Sequence, residues 1–153
     1  TITARGTQEP AIKEEKRLEV KVSNLSLLPE SPDYVKIGGR PIHLGPPLSL
    51  TDNNHCGTSR TLQAIQTISQ SYRQQLDQRL RINDISLPWG GLFDIQGDWL
   101  PPHWTHREGR NVDVSIISAE GGTVHSQLLR DLTRQANGRI VRERNPDHYH
   151  LTF

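Results

Sequence analysis

One long run of helical spacing interrupts a chain whose apolar residues otherwise tend to alternate. Leu62, Ile65, Ile68, Tyr72, Leu76 and Leu80 recur at steps of three and four behind Thr58 and Ser59. That pattern predicts an amphipathic helix of about five or six turns with a hydroxyl cap. A second helix is expected over roughly 125–136, with Leu128, Leu129 and Leu132 on one face and Asn137-Gly138 as its stop. Strands are expected at 81–86, 110–117, 139–143 and 148–153, where apolar side chains tend to sit at every second position. Leu18, Val20 and Val22 alternate in the same way, and "DYVKIGG" and "RPIHLG" read as two further extended pieces closed by glycines. Helices and strands that are each apolar on one side must bury those sides together. The predicted class is α+β: a mostly antiparallel sheet with two main helices packed on it, plus a strand-rich N-terminal arm.

The chain's 153 residues suit one ordinary domain with an appended arm. "LGPPLSLTDNN" at 44–54 has turn and linker chemistry, which places an expected boundary between an arm at 1–52 and a domain at 53–153. Residues 1–17 are polar and charged, and read as a flexible lead or the tail of an upstream segment. Charge is nearly balanced, with 18 Lys and Arg against 17 Asp and Glu, and this argues against a dedicated nucleic-acid binder. No apolar run approaches the roughly 20 residues of a membrane span. The single Cys56 cannot close an intrachain disulfide, so stability must come from packing or a metal. No methionine occurs, even at position 1, so the chain is expected to be a processed or excised piece of a longer product. Composition leaves the oligomeric state open.

The chemistry concentrates in two short stretches. In "PPHWTHREGRNVDVSI" (101–116), strand alternation places Val112, Val114 and Ile116 on one face and Asp113 and Ser115 on the other. In "HYHLTF" (148–153), Tyr149, Leu151 and Phe153 share a face, and His148, His150 and Thr152 share the opposite one. His106 precedes the first of these strands, and Gly109 lets the chain fold back toward Asp113. Imidazoles with one carboxylate make a three-ligand set typical of catalytic zinc, which leaves a position open. A structural cysteine site is excluded, since there is one cysteine. The chain also lacks H-E-x-x-H, C-x-x-C, G-x-S-x-G and G-x-x-x-x-G-K.

The pattern H-x-x-H-x-x-G-x-x-x-D at His103, His106, Gly109 and Asp113, followed by H-x-H at His148 and His150, resembles a zinc peptidase superfamily. That superfamily holds lysostaphin-type enzymes, D-alanyl-D-alanine carboxypeptidases and hedgehog domains, and the likeness is closest to the penicillin-insensitive murein endopeptidases. "NHCGT" and "INDISLPWGGLFDI" extend the resemblance over 53–153. It implies a hedgehog/DD-peptidase-like fold, zinc held by His106, Asp113 and His150, and His148 beside the metal as acid/base or transition-state stabiliser. His103 matches a further active-site histidine of the endopeptidases. The carboxypeptidases carry a glutamate base three residues before the last ligand, where this chain has Asp147. Ser86, Trp89 and Trp104 would line the substrate cleft.

The implied activity is hydrolysis of amide bonds in peptidoglycan stem or cross-link peptides, and that substrate in turn implies an extracytoplasmic location. A zinc-containing recognition or signalling module of the hedgehog type is the alternative, as is a peptidase acting on ordinary protein. His43, His55 and His125 lack such company and are expected to be structural or solvated. Cys56 is expected to be a small buried thiol, and Gly90-Gly91 a turn.

Overall fold

A computed structural model describes residues 2–5, 13–16, 22–37, 54–91, 104–144 and 146–153. The first two strands, β1 (Ile2–Arg5) and β2 (Lys13–Lys16), pair antiparallel with Ile2 opposite Lys16. The lead expected to be flexible thus contains a strand pair. Strands β3 (Leu25–Leu27) and β5 (Cys56–Thr58) form a second antiparallel pair. The main sheet has five strands in the order β4-β6-β7-β9-β8. These are β4 (Tyr34–Lys36), β6 (Leu80–Asp84), β7 (Asn111–Ser115), β8 (Arg139–Arg144) and β9 (Asp147–Thr152). β4 runs parallel to β6 and every other pair in this sheet is antiparallel. Residues 25–36 are therefore hydrogen-bonded to elements that lie beyond position 53. The strand expected around Leu18 and Val20 and the one at "RPIHLG" lie outside the described residues. Val22 is described, is not in a strand, and donates its N–H to the Trp89 carbonyl at 2.9 Å.

Helix α1 spans Ser59–Leu76 and α2 spans Ser126–Gln135. Thr58 caps α1, its hydroxyl accepting from the Thr61 N–H at 3.2 Å. The apolar period continues to Leu80 in the sequence, but the helix does not. Asp77 takes a left-handed conformation with φ 51°, and its N–H closes on the Arg73 carbonyl at 2.7 Å. Leu80 instead opens β6, fully buried. A four-residue step at a helix end cannot distinguish one more turn from the first inward residue of a strand. His125 caps α2: its Nδ1 accepts from the Leu128 N–H, and its own N–H donates to the Tyr72 hydroxyl at 2.7 Å.

Ile65, Ile68 and Tyr72 of α1 and Leu129 and Leu132 of α2 meet Ile82, Val112, Val114, Tyr149 and Leu151 in one core. Burying each such aliphatic side chain contributes roughly 1.5–3 kcal/mol. That packing fixes which face of β7 and β9 looks inward, and so delivers Asp113, His148 and His150 to the other face. Among the described residues no helix is long and apolar enough to cross a membrane.

Gly109 sits where β5 meets the approach to β7. It has φ +65°, and its carbonyl accepts from the Thr58 N–H at 3.0 Å. A Cβ there would lie 2.5 Å from Leu25 Cδ2 and 2.9 Å from Gly57 Cα. Gly121 also has positive φ, but its Cβ would meet nothing within 4 Å. Both alanine variants carry a left-handed backbone penalty of roughly 1–2 kcal/mol. Only Gly109→Ala adds overpacking, of about 1–3 kcal/mol. Thermal denaturation is expected to place Gly109→Ala well below Gly121→Ala; equal melting temperatures would remove the close approach as a constraint on the site.

Candidate metal centre

Three elements converge on one carboxylate. Asp113 of β7 lies directly opposite His150 of β9, and Ser115 lies opposite His148. A short 3-10 helix, Trp104–Glu108, brings in His106 from the chain just before β7. Asp113, His106, His148 and His150 are all buried. Asp113 Oδ1 is 2.8 Å from His150 Nδ1, and its Oδ2 is 3.2 Å from His106 Nε2 and 3.4 Å from His148 Nε2.

The outer contacts decide which nitrogen each ring presents. His106 Nδ1 lies 2.6 Å from the Ile85 carbonyl oxygen, and His148 Nδ1 lies 2.7 Å from that of Pro146. A carbonyl can only accept, so both Nδ1 atoms carry hydrogens and both Nε2 atoms turn toward Asp113. His150 is reversed. Its Nε2 donates to Asn111 Oδ1 at 3.1 Å, an oxygen that also accepts from the Thr152 hydroxyl at 2.9 Å, while Asn111 Nδ2 donates to the Thr105 carbonyl. This leaves His150 Nδ1 facing Asp113. Such second contacts orient and polarise the histidines of metal sites.

Ring nitrogens with lone pairs aimed at carboxylate oxygens repel unless a cation or protons lie between them. His106, Asp113 and His150 each offer a ligand atom, all within 4.8 Å of one another, so the donor set can hold a metal ion. His148 Nε2 is buried and makes no hydrogen bond. The titration behaviour expresses the same demand for positive charge. Burial alone pushes the Asp113 carboxyl up, but the three imidazoles around it outweigh burial and hold the group well below the usual carboxylate range. Burial disfavours charged His106, yet Asp113 raises its pKa overall. Asp113 also pushes His148 up to about 9.

The remaining expected site residues are placed unevenly. His103 lies outside the described residues, and of Trp104 only the backbone is described. Trp89 is half exposed on the turn that includes Gly90. Ser86, expected to touch substrate, is fully buried, and its hydroxyl donates toward the Cys56 carbonyl at 2.8 Å and the Leu87 carbonyl at 3.0 Å. Asp147, expected as the base, shares the Tyr149 and Leu151 side of β9, opposite the His148 and His150 side. Its carboxylate is paired with Arg142 through Nε at 2.8 Å and Nη2 at 2.6 Å. His55 is buried, with Nε2 3.0 Å from the Ile82 carbonyl oxygen, and Cys56 is buried, its thiol pushed up by desolvation.

Asp84 belongs to the centre and sequence reasoning missed it. Plain alternation groups Asp84 with Leu80 and Ile82, which face the core. A register shift in β6 changes this: Ile82 pairs with Val114, but Asp84 pairs with Asp113. The bulge turns a carboxylate from the core face to the face that carries Asp113. Burial, then the Asp113 charge, push Asp84 up to about 6, and Asn54 Nδ2 donates to its Oδ1. Asn111 was missed too, although its spacing of two from Asp113 was a usable signal. In comparison with known proteins, neither a family model nor a curated protein matches this chain.

Proposed function

We propose that the chain is a zinc-dependent hydrolase of amide bonds in peptidoglycan stem or cross-link peptides, related to the hedgehog/DD-peptidase-like zinc peptidases. The observation that carries this reading is the convergence of His106 Nε2, His150 Nδ1 and the Asp113 carboxylate, with each ring's orientation held by an outer acceptor. Two imidazoles and one carboxylate suit zinc with an open position. Zinc, when bound there, supplies Lewis acidity that polarises a carbonyl and lowers the pKa of a water toward roughly 7.

The chain's own groups do the rest. Asp113 supplies the negative charge that the three rings share, and Asn111 and the Ile85 carbonyl keep the two ligand rings from rotating. His148 stands beside the ligands with Nε2 buried and without a hydrogen bond; in its protonated form that nitrogen is a donor suited to stabilising negative charge on the scissile carbonyl oxygen. The resemblance of 53–153 supplies the substrate class, and an extracytoplasmic location goes with that substrate.

Metal analysis and hydrolysis of purified wall fragments on one preparation, wild type beside His148→Ala, test this. One zinc per chain is expected in both, with activity in the variant reduced roughly 10²–10⁴-fold. Zinc-loaded wild type that cleaves no wall fragment would overturn it. The competing reading, a zinc-stabilised recognition module, draws on one observation: the carboxylate at the expected base position, Asp147, is committed to Arg142.

A further inference from the structure

Resting on that hydrolase reading, one role is unfilled: a group that takes the proton of the attacking water and returns it to the leaving amine. Spacing points to Asp147, but geometry does not. Asp147 lies on the far face of β9 and makes a two-pronged pair with Arg142. On the near face, the neighbouring strand places a different carboxylate. Glu143 of β8 stands directly opposite His148 in register, with Oε2 3.5 Å from His148 Nε2. One donor atom each from Glu143, His148 and His150 lie within 4.8 Å of one another. Strand alternation turns Arg142 and Arg144 to the other face, so Glu143 is the residue of "RER" that shares the histidines' side. Its side chain is 52% exposed, against 3% for Asp113, so of these two carboxylates it is the one that a substrate entering from solvent can meet.

We propose that Glu143, rather than Asp147, is the proton-carrying carboxylate of this site. The water gives one proton to the Glu143 carboxylate as its oxygen bonds to the carbonyl carbon. The carbon–nitrogen bond then breaks, and the same proton passes from the Glu143 carboxyl to the amine nitrogen. No oxidant or further reactant is needed. Among the described residues β8 is the last strand of the five-stranded sheet, which places Glu143 at its rim.

Glu143→Gln and Asp147→Asn, each as zinc-loaded full chain, separate the two carboxylates. Three readouts are compared: zinc per chain, hydrolysis of wall fragments, and affinity for acetohydroxamic acid. A hydroxamic acid gives up a proton to a neighbouring carboxylate as it binds, so its affinity reports the base without turnover. Glu143→Gln is expected to keep its zinc, lose hydrolysis at least about 10²-fold, and bind acetohydroxamate at least tenfold more weakly. Asp147→Asn is expected to lose at least tenfold less in both. Glu143→Gln within twofold of wild type in hydrolysis and acetohydroxamate affinity, or the larger losses falling on Asp147→Asn, would overturn the assignment. Wild type without any hydrolysis would defeat the hydrolase reading instead, and the acetohydroxamate comparison would then decide on Glu143 alone.

Discussion

Asp113→Ala is expected to abolish metal binding at the proposed centre and to destabilise the protein by about 3–5 kcal/mol, the range for deleting one partner of a buried charged pair. The reason lies in how many groups share this side chain. Asp113 is 2% exposed, and both its oxygens face imidazole nitrogens: His150 on one, His106 and His148 on the other. Without the carboxylate, three buried rings lose their common counter-charge. Asp113→Asn tests the same point with the shape kept. It also removes the anionic ligand of the proposed metal site, but its amide can donate to one ring nitrogen, so a smaller loss of roughly 1–3 kcal/mol is expected. Denaturant unfolding with metal analysis on both variants measures the two effects separately. Undiminished metal content in Asp113→Ala would show that the ion is held elsewhere.

Much of this centre was legible because two strands carry their chemistry at period two. Val112 and Val114 with Tyr149 and Leu151 had to face the core, and that forced Asp113, His148 and His150 onto one common surface. The same parity places Asp147 with Tyr149, and following it there would have separated Asp147 from the site, where motif spacing put it instead. Asp84 could not be reached that way, because a single inserted residue reverses the parity of everything after it, and nothing in "INDIS" marks where the ladder slips. Glu143 was hidden for another reason. Its partner is across the sheet, and the pairing of β8 with β9 fixes the contact, whereas the sequence displays only neighbours along one strand. The parallel pairing of β4 with β6 was less accessible, since parallel strands need a long crossover and the sequence between them contains the whole of α1. The helix stop at Asp77 shows the limit of periodicity itself, because a left-handed aspartate ends a helix without a glycine or proline to announce it.

Chelation of the proposed ion across a range of pH gives the other large effect. In the metal-free chain Asp113 pushes His148 up to about 9, and His106 is raised as well because Asp113 outweighs the burial that opposes it. A base whose folded pKa exceeds its ordinary 6.5 adds stability that is complete below 6.5 and disappears as pH climbs through the folded value. Asp84 acts in the same direction, since burial raises it from 3.8 to about 6 and its folded form prefers the proton, so its contribution fades between those values. Asp113 opposes them, but its depressed pKa withdraws stability only in strong acid. The metal-free protein is therefore expected to lose stability steadily from about pH 6 to 9. A divalent cation displaces the protons that this decline depends on, and its binding is favoured as they leave. The melting temperature of the zinc-loaded form should thus pull away from that of the chelated form as pH rises. At a free ion concentration about 1,000 times the dissociation constant the stabilisation is about 4 kcal/mol, or roughly 8–16 °C for a chain of this size. Differential scanning calorimetry of both forms at pH 6, 7.5 and 9 measures the gap. A gap that narrows with rising pH, or a chelated form whose melting temperature is flat across this window, would mean that protons and metal do not compete for the Asp113 cluster.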